Sequence, residues 1–304
     1  MSKPLKAGVA GAGVFGGHHA RKYASLPEVE LVGVYDRGTG RALALAEGLG
    51  APGFVDLEAF LEQAEAVTIA APAVAHFELA WAALCAGRHV YSEKPLAATL
   101  QGARALVAKA AEQGRVLACG HQERAVFAAM GLFDAPERPL RIEAIRRNTH
   151  TGRGGDVSVV LDLMIHDLDL AVALAGGAPE TVEGESVTTQ GPFHDRAWAE
   201  IVFEGGMTAR FEADRDAPER HRTMRITYPS GVVEVDFLQR TFRNDTGFAL
   251  NAGFAETEGG RDPLGVSVSA FVAACLGQAE RPLVTGEEAA AALALALRIE
   301  KAAA

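Results

Sequence analysis

Cysteine is scarce: the chain has only Cys85, Cys119 and Cys275. They lie far apart with no paired spacing, which excludes a disulfide framework and a thiolate metal site and suits a reducing, cytoplasmic setting. No uninterrupted apolar run approaches the roughly 18 residues of a membrane span. The best candidate, residues 157–175, is broken by acids and a histidine. Positive charge is in deficit, with 29 Lys and Arg against 39 Asp and Glu and a net charge of -10. That excludes general nucleic-acid binding, because a phosphate backbone needs a basic surface. The early lysines are followed by glycines with no cleavage-site pattern, so the N-terminus reads as strand and turn and not as a signal peptide. No internal repeat is present, and the alanine-rich last helix is the only biased tract. What remains is an ordinary globular composition, 49% hydrophobic over 304 residues, long enough for two domains at roughly 100 to 200 residues each.

From Leu5 onward, short aliphatic runs alternate with helical patterns, and each run is short enough to be a strand buried on both faces. This predicts a parallel, doubly wound α/β sheet over residues 1–120. Strands are expected near 5–10, 31–35, 66–70, 89–92 and 116–119, with Phe54 in a further short one. Helices are expected at 14–25, 40–49, 75–86 and 100–113. A ligand crevice should open at the carboxyl ends of the strands.

Gly11, Gly13 and Gly16 stand at the end of the first strand, and with Val14 and Phe15 they open the first helix. A G-x-G-x-x-G is weak alone but gains weight between a strand and a helix with Asp36 about 20 residues on, where a ribose hydroxyl wants a carboxylate. Gly11 allows the turn, Gly13 the approach of a pyrophosphate, and Gly16 close packing of helix on strand. The expected cofactor is NAD. Arg37 and Arg41 leave NADP open, since a guanidinium can accept a 2′-phosphate. Pro72 and His76 follow the fourth strand and Glu93-Lys94-Pro95 the fifth, so Pro72, His76, Glu93 and Lys94 are expected beside the cofactor.

After residue 120 the rhythm changes. Residues 121–304 read as an α+β domain with a largely antiparallel open sheet and two closing helices, 264–276 and 287–301. Strands are expected at 140–147, 197–203, 207–213, 221–228 and 232–237, paired as hairpins through Glu204-Gly205-Gly206 and Pro229-Ser230-Gly231. Residues 244–262 read as a loop. The most informative stretch is Asp162-Leu163-Met164-Ile165-His166-Asp167-Leu168-Asp169. At 100° per residue, Asp162, His166 and Asp169 share one face of an otherwise apolar helix, a polar stripe expected to line a wet cleft. A carboxylate one turn before an imidazole can fix its tautomer, and such an imidazole can take a proton from a hydroxyl. Arg146, Arg147 and Arg153 precede this helix; they read either as a clamp on a diphosphate or as solvated strand edges. No metal site is expected.

Together the glycine fingerprint, Glu93-Lys94-Pro95 and the Asp-x-x-x-His-Asp-x-Asp run resemble the Gfo/Idh/MocA oxidoreductases. The resemblance implies a Rossmann domain followed by a substrate domain whose outer sheet face makes dimers or tetramers. It also implies hydride transfer between NAD(P) and a ring carbon of a sugar or cyclitol, with Lys94 and His166 as the catalytic pair and Asp162 as their neighbour. Which of the pair is the base stays open. The run 156–167 is similar to the members that oxidise the 3-hydroxyl of UDP-N-acetylglucosamine. A free sugar or inositol substrate, or a non-catalytic NAD-binding regulator, are the alternatives. The chain departs from sugar-nucleotide members after Arg124, where Ala125-Val126-Phe127 replaces Phe-Asn-Pro, so any contact made through that asparagine is absent or replaced. The hinge between the domains is expected here, with His121, Gln122 and Arg124 near the cleft.

Overall fold

The computed structural model describes residues 3–149 and 155–303. These fall into two units, one running to Gln122 together with Leu264–Ala290, the other comprising Glu123–Pro263 and the chain from Ala291.

In the first unit the order is β1 (Leu5–Ala10), α1 (Val14–Ser25), β2 (Val29–Tyr35), α2 (Thr39–Glu47), β3 (Gly53–Phe54), α3 (Leu57–Gln63), β4 (Ala66–Ile69), α4 (His76–Cys85), β5 (His89–Ser92), α5 (Leu100–Gln113) and β6 (Leu117–Cys119). The six strands form a sheet in the order β3-β2-β1-β4-β5-β6, every pairing parallel. The chain turns from β1 to β2 on one side and to β4 on the other, so the topological switch lies at the ends of β1 and β4, where doubly wound sheets bind ligands. Aliphatic β1 and β4 are buried almost throughout, as a strand covered on both faces must be. Helix α5 begins where the Thr99 side chain accepts from the Gly102 N–H and ends at left-handed Gly114. Helix α3 escaped the periodicity reading because it is only seven residues long; its local signal is the Asp56 side chain, which accepts from the Ala59 N–H.

The second unit contains α6 (Glu123–Met130), β7 (Arg141–Arg147), a π-helical turn at Val160–Met164, α7 (Ile165–Ala175), β8 (Pro179–Val187), β9 (Arg196–Phe203), β10 (Thr208–Asp214), β11 (His221–Tyr228), β12 (Gly231–Asp236), β13 (Thr241–Asn244) and α8 (Glu258–Arg261). Helices α9 (Pro263–Cys275) and α10 (Gly286–Ala302) end the chain. The seven strands run β13-β12-β11-β7-β10-β9-β8, antiparallel except for β7 beside β10. Gly205 and Gly206, at φ 87° and 86°, make the β9–β10 turn in a left-handed conformation that a side chain would resist. Burial alternates along the strands. Ile142, Ala144 and Arg146 of β7 and Met224 and Ile226 of β11 face inward. The other face carries cross-strand pairs such as Arg225–Glu234 and Arg147–Glu212. Among the described residues no helix is long and apolar enough to cross a membrane.

Three further features depart from the sequence reading. Strands β8 and β13 were not foreseen, the first because its Glu-rich, Gly-containing sequence lacks β character. Gly184 nevertheless suits β8, since a Cβ there would lie 3.0 Å from the Ile299 carbonyl oxygen of α10. The third concerns residues 264–290, assigned above to the second domain. Val268, Phe271 and Val272 of α9 enter the core of the first unit with Val9 and Tyr91, and the Ser267 and Tyr91 hydroxyls are hydrogen bonded at 2.9 Å. An apolar helix announces that it will be buried but not against which sheet.

Candidate functional site

The glycine loop is shaped by backbone contacts. Gly11 has φ 116°, and a Cβ on it would lie 2.4 Å from the Ala70 carbonyl oxygen; one on Gly16 would lie 1.8 Å from that of Gly11. Both are steric necessities. Gly13 has nothing within 4 Å of its Cβ position, so its surface is open to a group that must come close to the backbone. Helix α1 starts there with no side-chain cap and no acid in its first turn, leaving its first N–H groups and positive dipole end to an external anion. Val14 and Phe15 are 51% and 52% exposed beside it.

Asp36 follows β2. Its Oδ2 accepts from the Ala12 N–H at 2.9 Å and its Oδ1 from Gly38 N–H at 2.8 Å and from Arg41 at 3.2 Å. Burial pushes this carboxyl up, but those donors hold it below the usual carboxylate range. The anion is therefore kept beside the glycine loop, where it would accept ribose hydroxyls and repel a 2′-phosphate. Open backbone at Gly13, an uncapped helix start and a fixed carboxylate together fit a dinucleotide.

Arg37, expected at the cofactor, pairs instead with Glu78 of α4 at 2.8 Å, both well exposed. Pro72 opens a short 3₁₀ turn after β4. His76, also expected at the cofactor, is turned into the protein instead. It is 1% exposed, with Nδ1 2.7 Å from the Pro95 carbonyl oxygen and Nε2 2.9 Å from that of Ala71. Its ring ties together the two loops that follow β4 and β5, and a buried ring so engaged has no face left for a cofactor. Glu93 also points inward. Its Oε1 lies 2.7 Å from His19 Nε2 and accepts from the Gln122 amide at 2.9 Å. Burial raises this carboxyl, but His19, with the charges of Lys94 and His76, brings it below the usual range. Lys94, next in the chain and joined to Pro95 by a cis peptide, is half-buried. His19 had escaped notice; its one signal is its place on the inner face of α1 with Gly16, Ala20 and Tyr23, where a polar ring needs a partner.

In the second unit Asp162 lies on the π-helical turn and His166 in the first turn of α7, and both are half-exposed. The i→i+5 bonding of the π turn breaks the 100° rule over 160–164, so the expected stripe is not one face of a regular helix. Asp169 leaves it altogether. It is buried and accepts both Nε and Nη2 of Arg124, at 2.7 and 2.8 Å. Asp167 is matched in the same way by Arg146, at 2.9 and 2.8 Å.

Arg146 is therefore not a diphosphate clamp. It is 1% exposed, gives a further hydrogen bond to Glu123 at 2.9 Å and lies over the Phe237 ring. Burial opposes its charge, but Asp167 and Glu123 raise it above the ordinary guanidinium range. Arg147, the next residue on the strand, points to the opposite face and pairs with Glu212. Arg153 lies outside the described residues. Among the described residues no group of His, Cys, Asp and Glu side chains could hold a metal ion.

Residues 5–121 match an oxidoreductase family described as GFO_IDH_MocA with an NAD-binding Rossmann fold. Residues 127–234 match the GFO/IDH/MocA C-terminal domain. The chain is 37% identical over 238 residues to the UDP-N-acetylglucosamine 3-dehydrogenase of Acidithiobacillus ferrooxidans, a stretch covering 78% of this chain and 75% of that protein. It is 29% identical over 245 residues to the scyllo-inositol 2-dehydrogenase (NAD(+)) of Bacillus subtilis, covering 73% and 70%. A solved structure of the Acidithiobacillus enzyme matches with a TM-score of 0.89 at 33% identity, covering 99% of this chain and 98% of that one.

Proposed function

Because the chain belongs to the GFO/IDH/MocA oxidoreductase family, we propose that it oxidises a secondary ring hydroxyl of a nucleotide sugar, the 3-hydroxyl of UDP-N-acetylglucosamine. The observation that carries this reading is the start of α7. Two of its acids, Asp167 and Asp169, are locked to arginines, while His166 and the nearby Asp162 keep part of their surface exposed. The similarity to the Acidithiobacillus enzyme supports the choice of sugar.

His166 takes the proton from the reacting hydroxyl, and Asp162 orients its ring. Lys94 donates a hydrogen bond to the oxygen as it gains carbonyl character, stabilising negative charge there. Gly11, Gly13, Gly16, Asp36 and the N-terminus of α1 would hold NAD, which when bound supplies the hydride acceptor. The chain works in the reducing cytoplasm, which its three free thiols suit. It self-associates as a dimer or tetramer through the outer sheet face, where Trp198 and Ile145 stand among the ion pairs; light scattering measures this directly.

The test is turnover of UDP-N-acetylglucosamine with NAD and with NADP, a carbonyl trap drawing the unfavourable oxidation forward. Ketone formed from the nucleotide sugar with NAD supports the reading. Turnover confined to free inositols would replace it with the activity named for the Bacillus relative. Binding of NAD with no turnover of any sugar would make the chain a regulator.

A further inference from the structure

The loss of Arg146 as an anion clamp leaves a different arginine one strand away. Arg222 of β11 stands directly across from Arg146 of β7 in the antiparallel register, on the inner sheet face that carries Met224 and Ile226. Its carbonyl oxygen accepts from the N–H of Phe237, whose ring lies under the Arg146 guanidinium. Arg146 in turn holds Asp167, the residue after His166. Arg222 therefore belongs to the row of side chains at the end of the sheet where β7 leads towards the histidine helix.

Its electrostatic state differs from that of its neighbours. Arg146 and Arg124 are each matched to carboxylates at 2.9 Å or less, whereas among the described residues Arg222 forms no ion pair. Its side chain donates instead to a neutral acceptor, from Nη2 to Asn148 Oδ1 at 3.0 Å. Its Nε is buried with no hydrogen-bond partner among the described residues. Asp167 and Glu123 attract it from a distance, but both are already bonded to Arg146. Burial and the Arg146 charge bring Arg222 below the ordinary guanidinium range. The segment 150–154, His-Thr-Gly-Arg-Gly, contains no acid that could neutralise it. A shielded guanidinium is costly unless something anionic meets it, and a planar fork suits phosphate oxygens.

We propose that Arg222, held by Asn148, is the residue that recognises the diphosphate of the nucleotide-sugar substrate. The assignment rests on the reading of the preceding subsection. It places anion recognition on β11, one strand from Arg146, beside the helix that carries His166.

The experiment compares binding of UDP and uridine by calorimetry in wild type and Arg222→Met. The expected result is that wild type prefers UDP over uridine by tenfold or more and that Arg222→Met abolishes most of this preference. The variant should leave NAD affinity unchanged and the melting temperature unchanged or raised, because a partly buried charge with no carboxylate partner among the described residues has been removed. An equal preference in both proteins overturns the assignment while the nucleotide-sugar reading stands. A wild type that binds neither UDP nor UDP-N-acetylglucosamine overturns both. Should the methionine variant not fold, Arg222→Lys takes its place, with at least threefold loss of UDP affinity expected and unchanged affinity overturning the assignment.

Discussion

In the first unit the loop beside the cofactor site is shaped by backbone meeting backbone: Gly11 under the Ala70 carbonyl, Gly16 against Gly11 itself, and an uncapped helix start at Val14. In the second unit the helix that carries His166 is gripped by two arginines from elsewhere in the chain, Arg124 on Asp169 and Arg146 on Asp167, partners 45 and 21 residues apart. The first arrangement is steric and local, so each residue type announces its purpose. The second is electrostatic and long-range, and it turns residues that look like ligand contacts into supports. The lesson is that an arginine near a helix rich in acids must be counted against the buried acids before it is given to a substrate.

The largest effect should come from removing the group proposed to react in either unit. Lys94→Ala and His166→Ala are each expected to lower kcat by about a hundredfold to ten-thousandfold, the usual range for a positioned acid–base group, while NAD affinity, followed by fluorescence, survives at least in His166→Ala. Wild-type turnover in His166→Ala would remove the second unit's claim to the chemistry.

Next come the arginine grips. Arg124→Ala leaves Asp169 charged and buried, which is expected to cost about 3–5 kcal/mol by chemical denaturation. The double change Arg124→Met with Asp169→Leu should recover most of that stability, because neither member of the pair is then a buried charge, yet should still lower kcat by loosening α7. A double variant as unstable as the single one would show that the pair is a packing element and not an electrostatic grip.

The glycines sharpen the other side. Gly13→Ala meets no protein atom, so its melting temperature should match wild type while NAD affinity falls by about tenfold, roughly 1.4 kcal/mol. Gly16→Ala, with its Cβ driven against the Gly11 carbonyl, should lose stability as well. If both lost stability alike, the open face at Gly13 would have no special relation to the cofactor.

The smallest effect is a pH dependence. Glu93 is held below the usual carboxylate range, so its folded-state value lies under its unfolded one. The stability it contributes is whole above about pH 5 and is lost as the pH falls below about 4. Glu93→Gln should flatten that acid limb of the melting curve, and an unchanged limb would assign it to other carboxylates.

Much of the first unit was legible in the residues. Short aliphatic runs, Gly11 to Gly16 and Asp36 all declare themselves because parallel strands, tight turns and a ribose carboxylate impose narrow local requirements. His76 and Glu93 were rightly placed near the strand ends, but their direction was not legible, since a side chain that ties two loops together and one that meets a ligand occupy the same positions. The stripe through Asp162, His166 and Asp169 failed because a π turn cannot be read from a 100° period, and because Asp169 answers to an arginine 45 residues away.

By itself the sequence determined the alternation of buried strands and helices, the glycine turn, the acid after β2, and the presence of a histidine and acids on an apolar helix, because all of these follow from periodicity and local sterics. Only the tertiary structure decided that α9 completes the core of the first unit and that Arg146 and Arg124 are internal partners while Arg222 has no carboxylate of its own among the described residues. Ion pairing and packing depend on distances between residues far apart in the chain, and no spacing along it contains them.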